Sequence, residues 1–237
     1  MRARRGQPYV RPMTEIADPE SNVDVAASPP SPGWLRILAR LYDPTLWVGE
    51  LAGMRQRRAS LVANAYGRVV EIGAGTGLNI PHYPAEIAAL NLTEPEPGMR
   101  RRIARRLERH GRVAQLIDAP AERLPLADAS VDTVVSTLVL CTVRDPEAAL
   151  REIARVLRPG GQFLFIEHVR ASSRSLAAWQ DRLREPWRRF AGGCLCNQPT
   201  LDIMRACGFT VTADEVVWRG MPAIVHPLAV GRATLIA

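Results

Sequence analysis

The sequence predicts an α/β fold: one doubly wound, mainly parallel sheet with helices on both faces. Three observations lead there. From Arg68 onward, short apolar runs alternate with helical patterns, as repeated strand–helix–strand units require. The first run ends in a glycine-rich turn, and Pro and Gly punctuate the later ones. A chain of 237 residues with 47% hydrophobic content is also long and apolar enough to bury such a sheet.

Taken in order, Met1 to Gly33 is rich in Pro, Ser and scattered charge and ends in Ser28-Pro-Pro-Ser-Pro32. It offers too little apolar surface to offset ordering and reads as a disordered tail. Trp34, Leu35, Ile37, Leu38, Leu41 and Tyr42 then form an apolar face at helical spacing, broken at Pro44. A second helical segment runs from Glu50 to Ala65. Together they make a helical cap over 34–66, placed either to cover a pocket or to pack on the sheet. Strands follow at Val69–Ile72, Ile87–Thr93, Val113–Ile117, from Val131 toward Leu140, and at Phe163–Val169. An amphipathic helix spans Pro146–Leu157, and Arg158-Pro-Gly-Gly161 reads as a stop and turn. A substrate-region insertion occupies 171–199, a short helix reaches Ala206, and strands near Thr210–Trp218 and Ile224–Leu235 close a single domain over 34–237.

The net charge is +7, and all 31 basic residues are arginine. Arg100, Arg101, Arg102, Arg105, Arg106 and Arg109 cluster in one helical segment, and Arg182, Arg184, Arg188 and Arg189 in another. Such clusters attract anionic lipid or nucleic acid, or are simply solvated helix faces. No run approaches the roughly 20 apolar residues of a bilayer span; the longest candidate is Val134–Cys141. No apolar core follows Arg2, Arg4 and Arg5, which argues against a secretory signal and for a cytoplasmic protein, with peripheral contact to an anionic membrane left open. Of the four cysteines, Cys194 and Cys196 stand one residue too close for a zinc knuckle, and no paired-histidine motif follows. The spacing therefore predicts reduced cysteines and no metal.

The motif with the most chemical content is Glu71-Ile-Gly73-Ala-Gly75-Thr-Gly77, at the end of the first strand. Glycines there let the backbone turn sharply and approach a ligand where a Cβ would collide. A dinucleotide fingerprint, G-x-G-x-x-G, would need its third glycine at Leu78. This chain has G-x-G-x-G instead, with an acid two positions before it. Glu94, at the end of the second strand, stands where a carboxylate accepts both hydroxyls of an adenosyl ribose; Glu96 lies close enough to be confused with it.

Ile72–Gly77, Glu94 to Met99, Pro120-Ala-Glu-Arg-Leu-Pro125, Ala129-Ser-Val-Asp132 and Leu157-Arg-Pro-Gly-Gly161, in that order, resemble class I S-adenosylmethionine-dependent methyltransferases of the ubiquinone/menaquinone-biosynthesis type. Thr137-Leu-Val-Leu-Cys141, Glu167-His-Val169, Pro186-Trp187, Gly193-Cys194 and Val225-His-Pro227 look like animal methyltransferase-like proteins that methylate alkyl thiols. Asn79-Ile-Pro-His-Tyr-Pro84 is similar to bacterial phospholipid N-methyltransferases. The resemblance implies a Rossmann-like, seven-stranded sheet whose last strand is antiparallel, and S-adenosylmethionine as cofactor. It implies that Gly73, Gly75 and Gly77 line the methionine part, with Glu71 near the amino group and Glu94 on the ribose. Met99 would pack on the adenine, Ala121 and Glu122 would border its edge, and Thr137 would complete the cofactor set. The chain departs from the pattern at Pro120, where the family has an acid, and in carrying a polar tail where the animal proteins have an apolar membrane segment.

The acceptor implied is small and lipophilic: an alkyl thiol, a quinone precursor or a phospholipid. A base would assist a thiol, phenol or enol. His168, ending the fifth strand, is the first candidate, followed by Thr137, Cys141 and His82; a structural role for the lone imidazole is the competing reading. A nucleic-acid methyltransferase is motivated only by the arginines, since Ser136-Thr-Leu-Val139 replaces the usual Asp/Asn-Pro-Pro-aromatic motif and no Pro-Cys dipeptide exists. A non-catalytic cofactor-binding module is the third alternative, and the oligomeric state is open.

Overall fold

The computed structural model describes residues 43–236. The polar segment Met1–Gly33 and the expected Trp34–Tyr42 helix lie outside them. Seven strands form one sheet: β1 (Arg68–Ile72), β2 (Ala89–Thr93), β3 (Gln115–Ile117), β4 (Val131–Thr137), β5 (Leu157–His168), β6 (Phe209–Val217) and β7 (Pro227–Leu235). Their spatial order is β3-β2-β1-β4-β5-β7-β6. The first five pair in parallel, and β7 runs antiparallel to both β5 and β6. The terminal pair is thus a hairpin whose second strand inserts between β5 and β6. The strand order reverses between β1 and β4, the switch point at whose carboxyl edge open α/β sheets bind ligands.

Alternating side chains divide the core. Val70, Ile72, Val134, Phe163 and Phe165 face α3 (Pro146–Val156) through Ala149, Leu150 and Ile153, together with α6 (Thr200–Ala206) through Met204. Val69, Val135, Leu164 and Ile166 face the other way, onto Leu61 and Val62 of α1 (Arg55–Val62) and Ile103 of α2 (Pro97–His110). Because both faces are covered, the central strands read as continuous apolar runs rather than alternations. Helix ends follow local chemistry. Glu96 and Asp145 cap α2 and α3 by accepting from the Gly98 and Ala148 amides, each with proline in the next position. Gly111, left-handed at φ 58°, ends α2.

Several boundaries differ from the sequence reading, for identifiable reasons. Residues 43–49 are helical, with Pro44 the second of them. The second helical segment is divided into a π-turn at Glu50–Met54, where Gly53 sits at φ 120°, and α1. β2 begins at Ala89 and β3 at Gln115; Val113 is exposed and unpaired with the sheet. β4 stops at Thr137 because Leu138 turns left-handed at φ 61°. Arg158-Pro-Gly-Gly161 is a bulge within β5 rather than a break: Val131 pairs with Leu157 and Thr133 already with Gln162. Ala223–Val225 is a 3-10 turn, so β7 starts at Pro227.

Candidate active site

The carboxyl edge between β1 and β4 is built first by the glycine loop. Gly73, Gly75 and Gly77 all take positive φ, at 54°, 59° and 82°. At two of them the need for glycine is internal to the protein. A Cβ on Gly73 would come within 2.7 Å of Val139, and one on Gly77 within 2.5 Å of Ile80. The loop is therefore packed tightly onto the turn after β4, which keeps its backbone amides at the sheet edge.

Two buried carboxylates flank that loop. Glu71 accepts from the Tyr83 hydroxyl at 2.7 Å and the Asn79 amide at 2.9 Å. Burial lifts its pKa from 4.5 to about 7, against the lowering effects of Tyr83, Arg58 and Asn79. Glu94 accepts from the Gly75 amide at 2.8 Å and the Glu96 amide at 2.9 Å. Burial lifts it, too, to about 7, against those two amides. The neighbouring Glu96, close enough in sequence to be confused with Glu94, spends one oxygen on capping α2.

A buried polar chain that sequence reasoning missed continues from Glu71. Asn79 also donates to the Thr137 hydroxyl at 3.1 Å, and the Arg58 guanidinium donates to Thr137 at 2.8 Å and to the Asn79 side-chain oxygen Oδ1 at 3.2 Å. Arg58 closes on Glu50 at 2.9 Å. The available signal was an arginine at i, i+3, i+4 spacing with the buried Leu61 and Val62, where a third apolar residue would be expected. Met99 and Ala121 are buried beside the β2 and β3 ends, and Glu122 accepts from the Arg144 amide. Asp118 is held by Arg100 at 2.7 Å.

The residues sought as bases fall in two places. His82 is half-buried in the turn Ile80–His82 beyond the glycine loop, and burial lowers its pKa. His168, the last residue of β5, is 3% exposed and lies 5.7 Å from the Trp218 ring; its Nδ1 has no hydrogen-bond partner among the described residues. Glu167, facing the opposite way, pins the turn after β4 by accepting from Ser136 Oγ and from the Val139 and Leu140 amides. That turn delivers Cys141 to within 3.7 Å of Cys194, sulfur to sulfur. The Cys141 contact, opposed by burial and aided by His168 and Trp187, pulls the Cys194 thiol down to about 5, while Cys141 is pushed up. Around them lie Cys196, Val225, Trp187, Ala191, Met221 and Ile224, an apolar patch on the ends of β4 and β5. Local spacing could not reveal this grouping, because its members come from stretches of chain far apart in sequence.

The insertion supplies one wall. α4 (Arg174–Arg182) and α5 (Arg184–Phe190) carry Trp179, Trp187 and Phe190; Trp179 and Phe190 are exposed, and of the three only Trp187 joins the patch. Gln180, fully buried, ties the insertion down: it donates to the carbonyls of Val169, Cys196 and Ile224 and accepts from the Ala171 amide. An open groove of about 1150 Å³ between α1 and β6–β7, lined by Gln56, Arg57, Thr212 and Arg232, lies apart from all these residues.

Fold and edge together define a class I methyltransferase architecture. The methyltransferase-domain family matches residues 70–165. A phosphatidylethanolamine N-methyltransferase of Cereibacter sphaeroides is 33% identical over 146 residues, 60% of this chain and 70% of that protein. A human thiol S-methyltransferase is 35% identical over 146 residues, covering 60% of this chain and 59% of its own length. The chain thus spans under two thirds of that human relative. Among solved structures, an S-adenosylmethionine-dependent methyltransferase of Thermotoga maritima, described as a possible histamine N-methyltransferase, superposes with a TM-score of 0.64 at 24% identity, over 85% of this chain and 98% of that one. The chain belongs to the methyltransferase-domain family.

The edge fits S-adenosylmethionine on the structure's own terms. Glu94 uses two of about four carboxylate lone-pair sites on backbone amides, which leaves capacity for a ribose diol. Glu71 is a buried acid whose ionisation a nearby ammonium would favour.

Proposed function

We propose that the protein is an S-adenosylmethionine-dependent methyltransferase whose acceptor is small and lipophilic and sits against the ends of β4 and β5. The observation that carries this reading is the apolar patch around Cys141, which lies two residues beyond Val139, the side chain that packs against the glycine loop at Gly73. Glu71 would hold the cofactor's amino group and Glu94 its ribose. Gly73, Gly75 and Gly77 would line the methionine part, Met99, Ala121 and Glu122 the adenine, and Thr137 the floor between them. When bound, the cofactor supplies a methyl group on an already electrophilic sulfonium. What remains for the chain is alignment and exclusion of water, and the dry patch of Trp187, Met221 and Val225 suits both. The names of relatives, a thiol and a phospholipid methyltransferase, support a lipophilic acceptor without selecting one.

No helix among the described residues is long and apolar enough to cross a membrane. Peripheral contact is the part of the reading carried by α2. Arg100 is committed to Asp118, and Arg102 and Arg106 to Asp43, but Arg101, Arg105 and Arg109 form an exposed stripe at four-residue spacing. Anionic lipid would meet that stripe.

Incubating the purified chain with methyl-labelled cofactor and a panel of alkyl thiols, quinols and phosphatidylethanolamine tests the proposal. Label is expected in one of these acceptors, and Trp187→Ala should cut turnover on it while leaving affinity for the demethylated cofactor unchanged. Efficient labelling of RNA or DNA, or none of any acceptor, would overturn it.

A further inference from the structure

Cys141, His168 and Cys194 place their ligand atoms within 4.8 Å of one another, and all three are buried. The sulfur–sulfur spacing is that of a coordination site. Around a tetrahedral zinc with Zn–S bonds of about 2.3 Å, two sulfurs stand roughly 3.8 Å apart; here they are 3.7 Å apart. With a Zn–N bond of about 2.0–2.1 Å, the imidazole nitrogen would lie roughly 3.5 Å from either sulfur. His168 also has a ring nitrogen without a hydrogen-bond partner in a buried setting, which a protein seldom tolerates without an unseen ligand.

The scaffold holds these atoms firmly. Glu167 fixes the turn that presents Cys141, Gln180 fixes the Cys196 carbonyl, and the Leu195 amide donates to the Cys141 carbonyl at 2.7 Å. Both cysteine segments are thereby tied to each other and to β5. Among the described residues no fourth Cys, His, Asp or Glu joins the group. Three protein ligands with a vacancy is the pattern of catalytic rather than structural zinc.

We propose that Cys141, His168 and Cys194 bind a zinc ion whose fourth position takes the sulfur of a thiol acceptor. The metal half stands on geometry alone, and the acceptor half rests on the methyltransferase reading above. Two thiolates and a neutral imidazole bring the site to net zero charge. A thiol entering the fourth position releases its proton to solvent and binds as thiolate, so that it reaches the reaction already ionised. One of its two remaining lone pairs forms the new sulfur–carbon bond, while the carbon–sulfur bond of the sulfonium breaks and its electron pair stays on the departing sulfur. The neutral thioether product is a weaker ligand than thiolate and leaves the metal.

Metal analysis of the full-length chain, purified under reducing conditions, should find about one zinc per chain. Cys141→Ser, Cys194→Ser and His168→Asn should each lower that content about tenfold or more, and Cys207→Ser, outside the group, should not. Circular dichroism and affinity for the demethylated cofactor confirm that the variants are folded. Wild-type protein reconstituted with cobalt(II) should show thiolate-to-metal charge-transfer absorption, which needs no variant, and 1-hexanethiol but not 1-hexanol should shift its visible bands. Absence of retained zinc or cobalt, with Cys141 and Cys194 recovered as free thiols or as a disulfide, overturns the metal site. Bound cobalt whose spectrum ignores 1-hexanethiol overturns the acceptor half. Methyl transfer to a thiol by metal-free protein sinks this inference and spares the methyltransferase reading, whereas a thiol-responsive metal without methyl transfer to any acceptor does the reverse.

Discussion

Replacing Glu71 with glutamine should stabilise the empty protein above neutral pH and at the same time abolish its affinity for the cofactor. Burial raises the folded-state pKa from 4.5 to about 7, so the native chain holds this proton more tightly than the unfolded chain does. Stability from the group is fully present below about pH 4.5 and is lost as the pH rises through 7. Above that, the native state carries a buried carboxylate at a cost of about 3 kcal/mol. Glutamine removes the ionisation. It keeps one acceptor oxygen for Tyr83 or Asn79 and forfeits the other bond, a loss of about 1 kcal/mol. The variant should therefore be about 1 kcal/mol less stable than wild type near pH 4.5 and about 2 kcal/mol more stable at pH 8. Urea denaturation at the two pH values measures this, and calorimetry with the demethylated cofactor measures the accompanying loss of binding. A variant equally destabilised at both pH values would refute the reasoning, because it would mean that Glu71 is not strained when ionised.

The other expectations follow from the same contacts. Glu94→Ala should weaken cofactor binding by about 1–3 kcal/mol, while Glu96→Ala, which removes the cap on α2, should cost about 1 kcal/mol of stability and leave affinity alone; calorimetry and thermal melts separate the two, and the opposite pattern would exchange their roles. Gln180→Leu strands three carbonyls and one amide, so it should cost about 3 kcal/mol or more in a urea melt and expose Cys194 to thiol reagents; an unreactive Cys194 would show that the loop holds its place without Gln180. Charge reversal at Arg101, Arg105 and Arg109 should abolish sedimentation with vesicles containing phosphatidylserine at low salt, and binding that survives reversal would dismiss the membrane contact.

How far the sequence could be read depends on whether a property is local. The glycine loop, the acid at the end of β2 and the caps of α2 and α3 are each specified by residues within a few positions of one another, and the expected strands appear in the expected order. Boundaries failed where a non-local force prevailed. β4 ends at Thr137 because Glu167, on the adjacent strand, captures the Val139 and Leu140 amides, and no pattern inside Val131–Leu140 signals that. Arg158-Pro-Gly-Gly161 has every local mark of a turn, yet pairing with β4 on either side draws it into β5 as a bulge.

The candidate site follows the same division. Its cofactor edge was legible because G-x-G-x-G forms a single loop, although the reason for two of those glycines was not: they are required by Val139 and Ile80 as well as by any ligand. The Arg58 network and the Cys141–His168–Cys194 group were hidden, because each joins elements distant in sequence and becomes visible only once the strands are aligned. Cys194-Leu-Cys196 shows the hazard of reading spacing alone. As a pair its spacing is too tight for a zinc knuckle, and the pair is not the grouping that the fold assembles. Cys194 has its neighbour 53 positions away in Cys141, brought to it by a turn that a buried glutamate holds and a loop that a buried glutamine holds. In a parallel sheet the carboxyl ends of successive strands converge from well-separated stretches of chain, so the side chains gathered at that edge are assembled across the fold, whereas the first loop is written in one place.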